Sequence, residues 1–328
     1  MAVDLCDRAQ WDALAEKADP GFYGRSDWLD AICGATGMEP QYVVVTARET
    51  PVLRAALARK RRWGQEFLLT PASAAYAGWA EAFPDDLAPE RREARRIEVA
   101  DELAAWCEDH AAWTRIVLPP EMIDARAFIW RGWRAEVRYT YRTSAADDAA
   151  TAMHENARRQ VKKAARLTVA CPEGVEAVRA LAAVIEPTFR RQGEPLPTPA
   201  AAWRAYLDAL VGLPSVRIVA AFDGETPHAA MALGFDTHRA YELLAGTSEE
   251  GLASGASALV MQAAMREAAA CVGELDLAGA NIPSIARFKR GFGGRLVPYI
   301  AVSHAGSTWS RWLATGAPRL RRRLGFRR

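Results

Sequence analysis

Lys289 stands between two aromatic rings in Phe288-Lys289-Arg290-Gly291-Phe292-Gly293-Gly294, a short way after Asp276-Leu277-Ala278-Gly279-Ala280-Asn281. A cation hemmed in by Phe288 and Phe292 can face a phosphate or a reacting carbonyl, and the glycines beside it let the backbone turn or approach a ligand closely. Acyl transfer to an amine calls for such a cation, because negative charge gathers on the carbonyl oxygen as the amine attacks. Asp276 and Asn281 are the candidates for orienting the amine, although a strand-end aspartate and a turn asparagine serve equally well to cap backbone groups. No paired general base is visible, and an amine can lose its proton through water once the carbonyl is polarised. A lysine placed freely in a cleft predicts that Lys289→Ala abolishes turnover and spares thermal stability.

A second set of residues suits a phosphate. Gly255, Ala256 and Ser257 open an apolar helix, and the first amides of a helix, with the positive end of its dipole, can hold a pyrophosphate. The stretch is neither a Walker loop nor a Rossmann fingerprint, and small residues that pack a helix on a sheet explain it equally well. Arg190 and Arg191 offer guanidiniums to a carboxylate or phosphate on the acceptor. Arg158, Arg159, Lys162, Lys163 and Arg166 recur at helical spacing, which makes either a solvated face or a patch for a polyanion.

Positioning these groups is the task of a chain of 328 residues, long enough for two cores, with half its residues hydrophobic and 25% charged. Its five cysteines are scattered and lack a Cys-x-x-Cys pair, and its five histidines show no ligand spacing, so neither a disulfide scaffold nor a metal site is expected. No export signal and no stretch of about 18 apolar residues is present, which predicts a cytoplasmic protein without a transmembrane segment. Arg319, Arg321, Arg322, Arg323, Arg327 and Arg328 close the chain without an acid, and without them acids outnumber bases. Such a tail is either solvated or drawn to anionic lipid or RNA.

Helical spacing is expected around Trp11 and Trp28, in Pro89 to His110, His154 to Leu167, Val175 to Gln192 and Thr198 to Val211. Trp130 to Tyr141 reads as a hairpin dense in Trp and Tyr. The clearest part is an antiparallel meander, Val216 to Phe222, Ala229 to Phe235 and Arg239 to Ala245, with Asp223-Gly224 as a turn. A loop over Glu249 to Ser257, an apolar helix through Ala270 and a strand at Glu274 to Leu277 complete a βαβ unit.

That order resembles the GNAT N-acyltransferase superfamily, and several stretches are similar in particular to the Fem-like tandem GNAT group, which includes the Fem peptidoglycan-bridge aminoacyltransferases and acetyltransferase-like relatives. They are Phe22-Tyr23-Gly24-Arg25-Ser26-Asp27-Trp28-Leu29, Leu69-Thr70-Pro71 with Tyr76-Ala77-Gly78, the basic segment Arg158 to Ala164, Thr188 to Gly193, Asp276 to Asn281, and the Phe288-Lys289 phrase. The resemblance implies an α/β (α+β) fold of two tandem GNAT-like domains, each a mostly antiparallel sheet flanked by helices. A degenerate domain over 1–145 would precede a catalytic one over 146–305, with the basic tail at 306–328. It further implies an N-acyltransferase acting on an amine acceptor, with Lys289 at the transfer site and acyl-CoA as co-substrate. The alternatives are a Fem-type aminoacyltransferase drawing on aminoacyl-tRNA and a non-catalytic protein of the same fold. The first domain lacks a glycine-bearing loop before its long helix, and no heptads support the coiled-coil arm that Fem ligases often carry. Arg158, Lys162 and the Arg-rich tail would make any contact with tRNA or with the inner face of a membrane.

Overall fold

The computed structural model describes residues 1–15, 18–62, 64–71, 73–144 and 153–306. The expected domain joint at 145–146 and the Arg-rich tail lie outside these residues. The chain forms two compact units, one of Met1–Val137 with the chain from Tyr299 onward, the other of Arg138–Pro298.

The first unit contains β1 (Ala2–Leu5), α1 (Arg8–Ala15), α2 (Ser26–Thr36), β2 (Glu39–Ala47), β3 (Thr50–Arg62), β4 (Gln65–Leu69), β5 (Gly78–Glu81), α3 (Pro89–His110), β6 (Trp113–Val117) and α4 (Arg126–Trp130). Its strands run in the order β1-β2-β3-β4-β6, with β5 on β3, and β4 and β6 pair in parallel. Tyr42-Val43-Val44-Val45 is a buried run of β-branched and aromatic residues in β2. Pro89 opens α3 at a position where its missing amide proton costs nothing, and Val99, Ala100, Leu103, Ala104 and Cys107 form the stripe that α3 buries.

The opening motif is core. Phe22, Tyr23 and Trp28 pack ring against ring within 5.7 Å, and Trp11, fully buried, donates from Nε1 to Gly24 O at 2.9 Å. Gly24 and Gly78 bring two backbones into contact: a Cβ on Gly78 would lie 2.3 Å from Gly24 Cα. Trp130 and Trp133 divide. Trp133 is buried and donates to Glu108 at 2.7 Å, whereas Trp130 is 65% exposed. The expected hairpin over Trp130 to Tyr141 is instead the end of α4 followed by a single strand, β7 (Arg134–Ser144).

The second unit continues with α5 (Glu155–Lys163), β8 (Thr168–Ala170), α6 (Gly174–Gln192), α7 (Ala200–Val211), β9 (Val216–Asp223), β10 (Thr226–Phe235), β11 (Arg239–Thr247), α8 (Glu249–Ser254), α9 (Ala256–Cys271), β12 (Glu274–Asp276) and α10 (Pro283–Arg290). The chain then returns to the first unit through β13 (Arg295–Ala305), whose Ala301–Ala305 pair antiparallel with β6. The sheet order here is β7-β12-β11-β10-β9-β8, and only β11 and β12 run parallel. Alternation with period 2 gives the sheet two buried faces: Val219, Ala221, Ala229, Met231 and Leu233 join one core with α9, and Ala220, Ala230 and Ala232 turn the other way. Small side chains let α6 and α9 both pack closely on β10.

Two expectations change in this unit. Glu249 to Ser254 is a helix, because Ser248 caps it, accepting from Gly251 N at 2.9 Å, and two acids occupy its first turn. Phe288 and Lys289 sit in the last turn of α10, which Pro283 opens, with the glycine turn only after them.

Candidate acyl-transfer site

β11 and β12 pair only from Arg239↔Glu274 to Tyr241↔Asp276. Beyond that point β11 runs on to Thr247, while the chain after Asp276 follows β7: Leu277 N donates to Tyr141 O at 2.9 Å and Ala280 N donates to Tyr139 O at 2.6 Å. The sheet therefore opens between β11 and residues 277–281. Lys289 reaches into this opening from α10. Its Nζ donates to the carbonyls of Leu277 and Ala278, the latter at 2.8 Å, and lies 3.0 Å from Glu242 Oε1 on β11. An ammonium has three protons, and these three acceptors use them all.

Glu242 is the residue that sequence reasoning missed. Its side chain is 12% exposed and that of Lys289 5%, and Glu242 Oε2 has no hydrogen-bond partner among the described residues. Burial pushes the Glu242 carboxyl above the ordinary range, and the nearby Lys289 ammonium works against that shift. The signal was present in Tyr241-Glu242-Leu243-Leu244, a single carboxylate inside an apolar strand, where an unpaired charge is rarely tolerated.

Asp276 and Asn281 hold backbone. Asp276 is fully buried and accepts from Thr140 Oγ1 at 2.7 Å, Arg142 Nε at 2.9 Å and Ala278 N at 2.9 Å. It thereby helps fix Ala278 at φ 43°, a left-handed conformation that an alanine adopts only under constraint. Asn281 is exposed, accepts from Tyr139 N at 2.9 Å and donates to Tyr139 O at 3.4 Å, extending the β7 pairing by a side chain.

Phe292 is buried and meets Phe288 edge to face at 5.0 Å, while Phe288 is 37% exposed. Arg190 and Arg191 end α6. Arg191 donates to Thr247 O at 3.2 Å, beside the end of β11, and Arg190 is exposed.

Gly255 joins α8 to α9 at φ 83°, and a Cβ there would lie 2.4 Å from Gln160 O of α5. The first bond of α9 runs from Ala258 N to Gly255 O, so the amides of Ala256 and Ser257 lie ahead of its ladder. Gly255 and Ala256 are buried under α5, whereas Ser254 and Ser257 are partly exposed. Arg158, Lys162 and Lys163 on α5 point to solvent nearby. Among the described residues, no three His, Cys, Asp or Glu side chains gather to hold a metal ion, and no helix is long and apolar enough to cross a membrane.

Residues 151–290 match the family described as acetyltransferase (GNAT) domain, so the second unit carries a GNAT domain. The solved structures extend the likeness to almost the whole chain. FemX superposes with a TM-score of 0.61 at 12% identity over 92% of this chain and 97% of its own. L-PGS from Bacillus licheniformis gives 0.57 at 11% over 99% of both chains. A tandem GNAT protein from the clavulanic acid biosynthesis pathway gives 0.53 at 12% over 93% and 98%. Among curated proteins none matches this sequence. Over almost its whole length the chain has the fold of these proteins, and residues 151–290 match an acetyltransferase domain.

Proposed function

We propose that this protein is a cytoplasmic N-acyltransferase that takes an acyl group from acyl-CoA and passes it to an amine at the parting of β11 from β12. The observation that carries this reading is Glu242, a buried carboxylate with a raised pKa beside an opening in the sheet. The amine nitrogen attacks the thioester carbonyl carbon and gives its proton to Glu242, directly or through one water. The C–S bond then breaks and the proton passes to the departing thiolate. Lys289 is a positioning residue in this scheme, keeping the Leu277 and Ala278 carbonyls away from β11 and holding Glu242 ionised. Backbone amides of β11 beyond Tyr241, past the end of its pairing with β12, supply donors for the developing oxyanion. The pyrophosphate of the donor meets the start of α9 along Gly255, Ala256 and Ser257, with Arg191 near the end of β11. Phe288 and Arg190 flank the acceptor.

A second reading rests on the exposed basic face of α5, which borders that helix start: the donor is an aminoacyl-tRNA, its phosphates lying along Arg158 and Lys162. The likeness to FemX and L-PGS agrees with it at the level of fold. Mass spectrometry of products decides, after incubation with acetyl-CoA or charged tRNA and a panel of amines. Acylated amine formed from acetyl-CoA, at a rate at least about 100-fold lower in Glu242→Gln, supports the first reading. Product from charged tRNA alone, with affinity falling steeply in salt, replaces it by the second. No product from either donor would leave a non-catalytic protein of this fold.

A further inference from the structure

We propose that Cys171 and Cys271 form a reversible disulfide that fastens the edge strand β8 to the end of α9. About 100 residues separate them in the chain, and the fold returns both to one ion pair, Arg217 of β9 with Glu267 of α9. Cys271, one helical turn beyond Glu267 and the last residue of α9, accepts from Arg217 Nη1 at 3.4 Å. Cys171 is the first residue after β8, and its thiol donates to the Glu267 carboxylate. Burial and that carboxylate push the Cys171 thiol above its ordinary range.

Strand register carries the same placement. Val169 of β8 lies opposite Ala221 of β9, and Ala221 and Val219 belong to the core that α9 closes. Side chains alternate along a strand, so Arg217 stands on the α9 face with Val219, and Cys171, two residues on from Val169, leaves β8 on that face as well. The Phe235 ring, 5.3 Å from the Arg217 guanidinium, steadies the ion pair. Positions four apart on a helix face each other with about 5–6 Å between Cβ atoms, and a disulfide needs about 4 Å. A thiol in contact with Glu267 therefore reaches Cys271 once the ion pair swings aside and the chain gives by a few ångströms. Both cysteines are exposed and stand at the ends of their elements, where backbone yields most readily. Exposed disulfides are the readily reduced kind, which makes the bond reversible. Oxidised glutathione supplies the oxidant. One cysteine thiolate attacks a sulfur of that disulfide and releases a glutathione thiolate, leaving a mixed disulfide. The second cysteine thiolate attacks the protein sulfur of the mixed disulfide and releases the other glutathione. Two protein thiols are oxidised, one glutathione disulfide is reduced to two thiols, and the two cysteine protons pass to the departing thiolates.

Peptide mass spectrometry tests the proposal on the full chain, incubated with oxidised or with reduced glutathione, alkylated, and digested without reductant. The oxidised sample should yield the peptides of Cys171 and Cys271 joined with the loss of two hydrogens. Its Tm should stand several degrees above that of the reduced protein, because the bond closes a long loop, and dithiothreitol should remove the gain. Cys171→Ser and Cys271→Ser, both at exposed positions, should keep the Tm of the reduced protein and lose the gain, the remaining cysteine of the pair carrying one glutathione. Separate glutathione adducts on Cys171 and Cys271 with no joined peptide would overturn the proposal. So would a joined peptide found only in a species of doubled mass, or an oxidised protein no more stable than the reduced one.

Discussion

Glu242 and Lys289 face each other across the opening of the second sheet with 3.0 Å between Oε1 and Nζ, and each is nearly inaccessible to water. The pair joins a strand to a helix at the one place where β11 has left its parallel neighbour. What each residue does depends on the other.

Removing the lysine should damage the fold as well as the chemistry. Lys289→Met leaves a buried carboxylate without its cation and two carbonyls without a donor, an arrangement that costs about 3–5 kcal/mol. This reverses the expectation of a cleft lysine whose loss spares stability. The double variant Lys289→Met/Glu242→Gln should recover a large part of the loss. Urea unfolding of the four proteins in the cycle measures it, and purely additive effects would separate the two residues.

Replacing the carboxylate tests the chemistry more directly. Glu242→Gln keeps an acceptor for the Lys289 ammonium and removes the base. The kcat should fall about 100- to 10,000-fold while affinity for the acyl donor changes little. Steady-state kinetics with acetyl-CoA and the best amine is the check.

The pH dependence has opposite signs for rate and stability. Burial raises the Glu242 carboxyl, so kcat/KM should fall as pH drops through a midpoint above the ordinary glutamate value of about 4.3. A folded-state pKa above the unfolded one means that the fold binds this proton more tightly. The contribution to stability is then full below the unfolded pKa and is lost as pH rises through the folded value. Rate profiles and Tm recorded over the same pH range should both lose this feature in Glu242→Gln.

The start of α9 offers a fourth test. Gly255→Ala forces an alanine to φ 83° and its Cβ against Gln160 O, so it should cost about 1–3 kcal/mol even without donor. Thermal melts with and without acyl-CoA separate this structural cost from a loss of donor binding.

Much of the second unit was legible because its signals are local. The meander follows from alternation and a two-residue turn, and α9 from its apolar run. Gly255, read from the sequence only as the start of that helix, takes a positive φ of 83°. The site was legible only in part. Asp276, Asn281 and Lys289 were singled out by type and spacing, but type does not say which acceptors are used up. Only the fold shows that Asp276 is engaged by Thr140 and Arg142, brought to it over 136 and 134 residues of chain, as well as by its neighbour Ala278. Glu242 escaped because a strand read for its apolar pattern hides the single residue that breaks it.

Gly24 and Gly78 bear on how such a chain can change over generations. Their backbones touch so closely that a methyl group on either has nowhere to go: on Gly78 it strikes Gly24, and on Gly24 it strikes Pro20 at 2.3 Å. Neither position can drift alone, and a lineage that altered one would have to rebuild the other and the turn at Pro20 with it. A side chain at either position therefore calls for a rebuilt backbone around both.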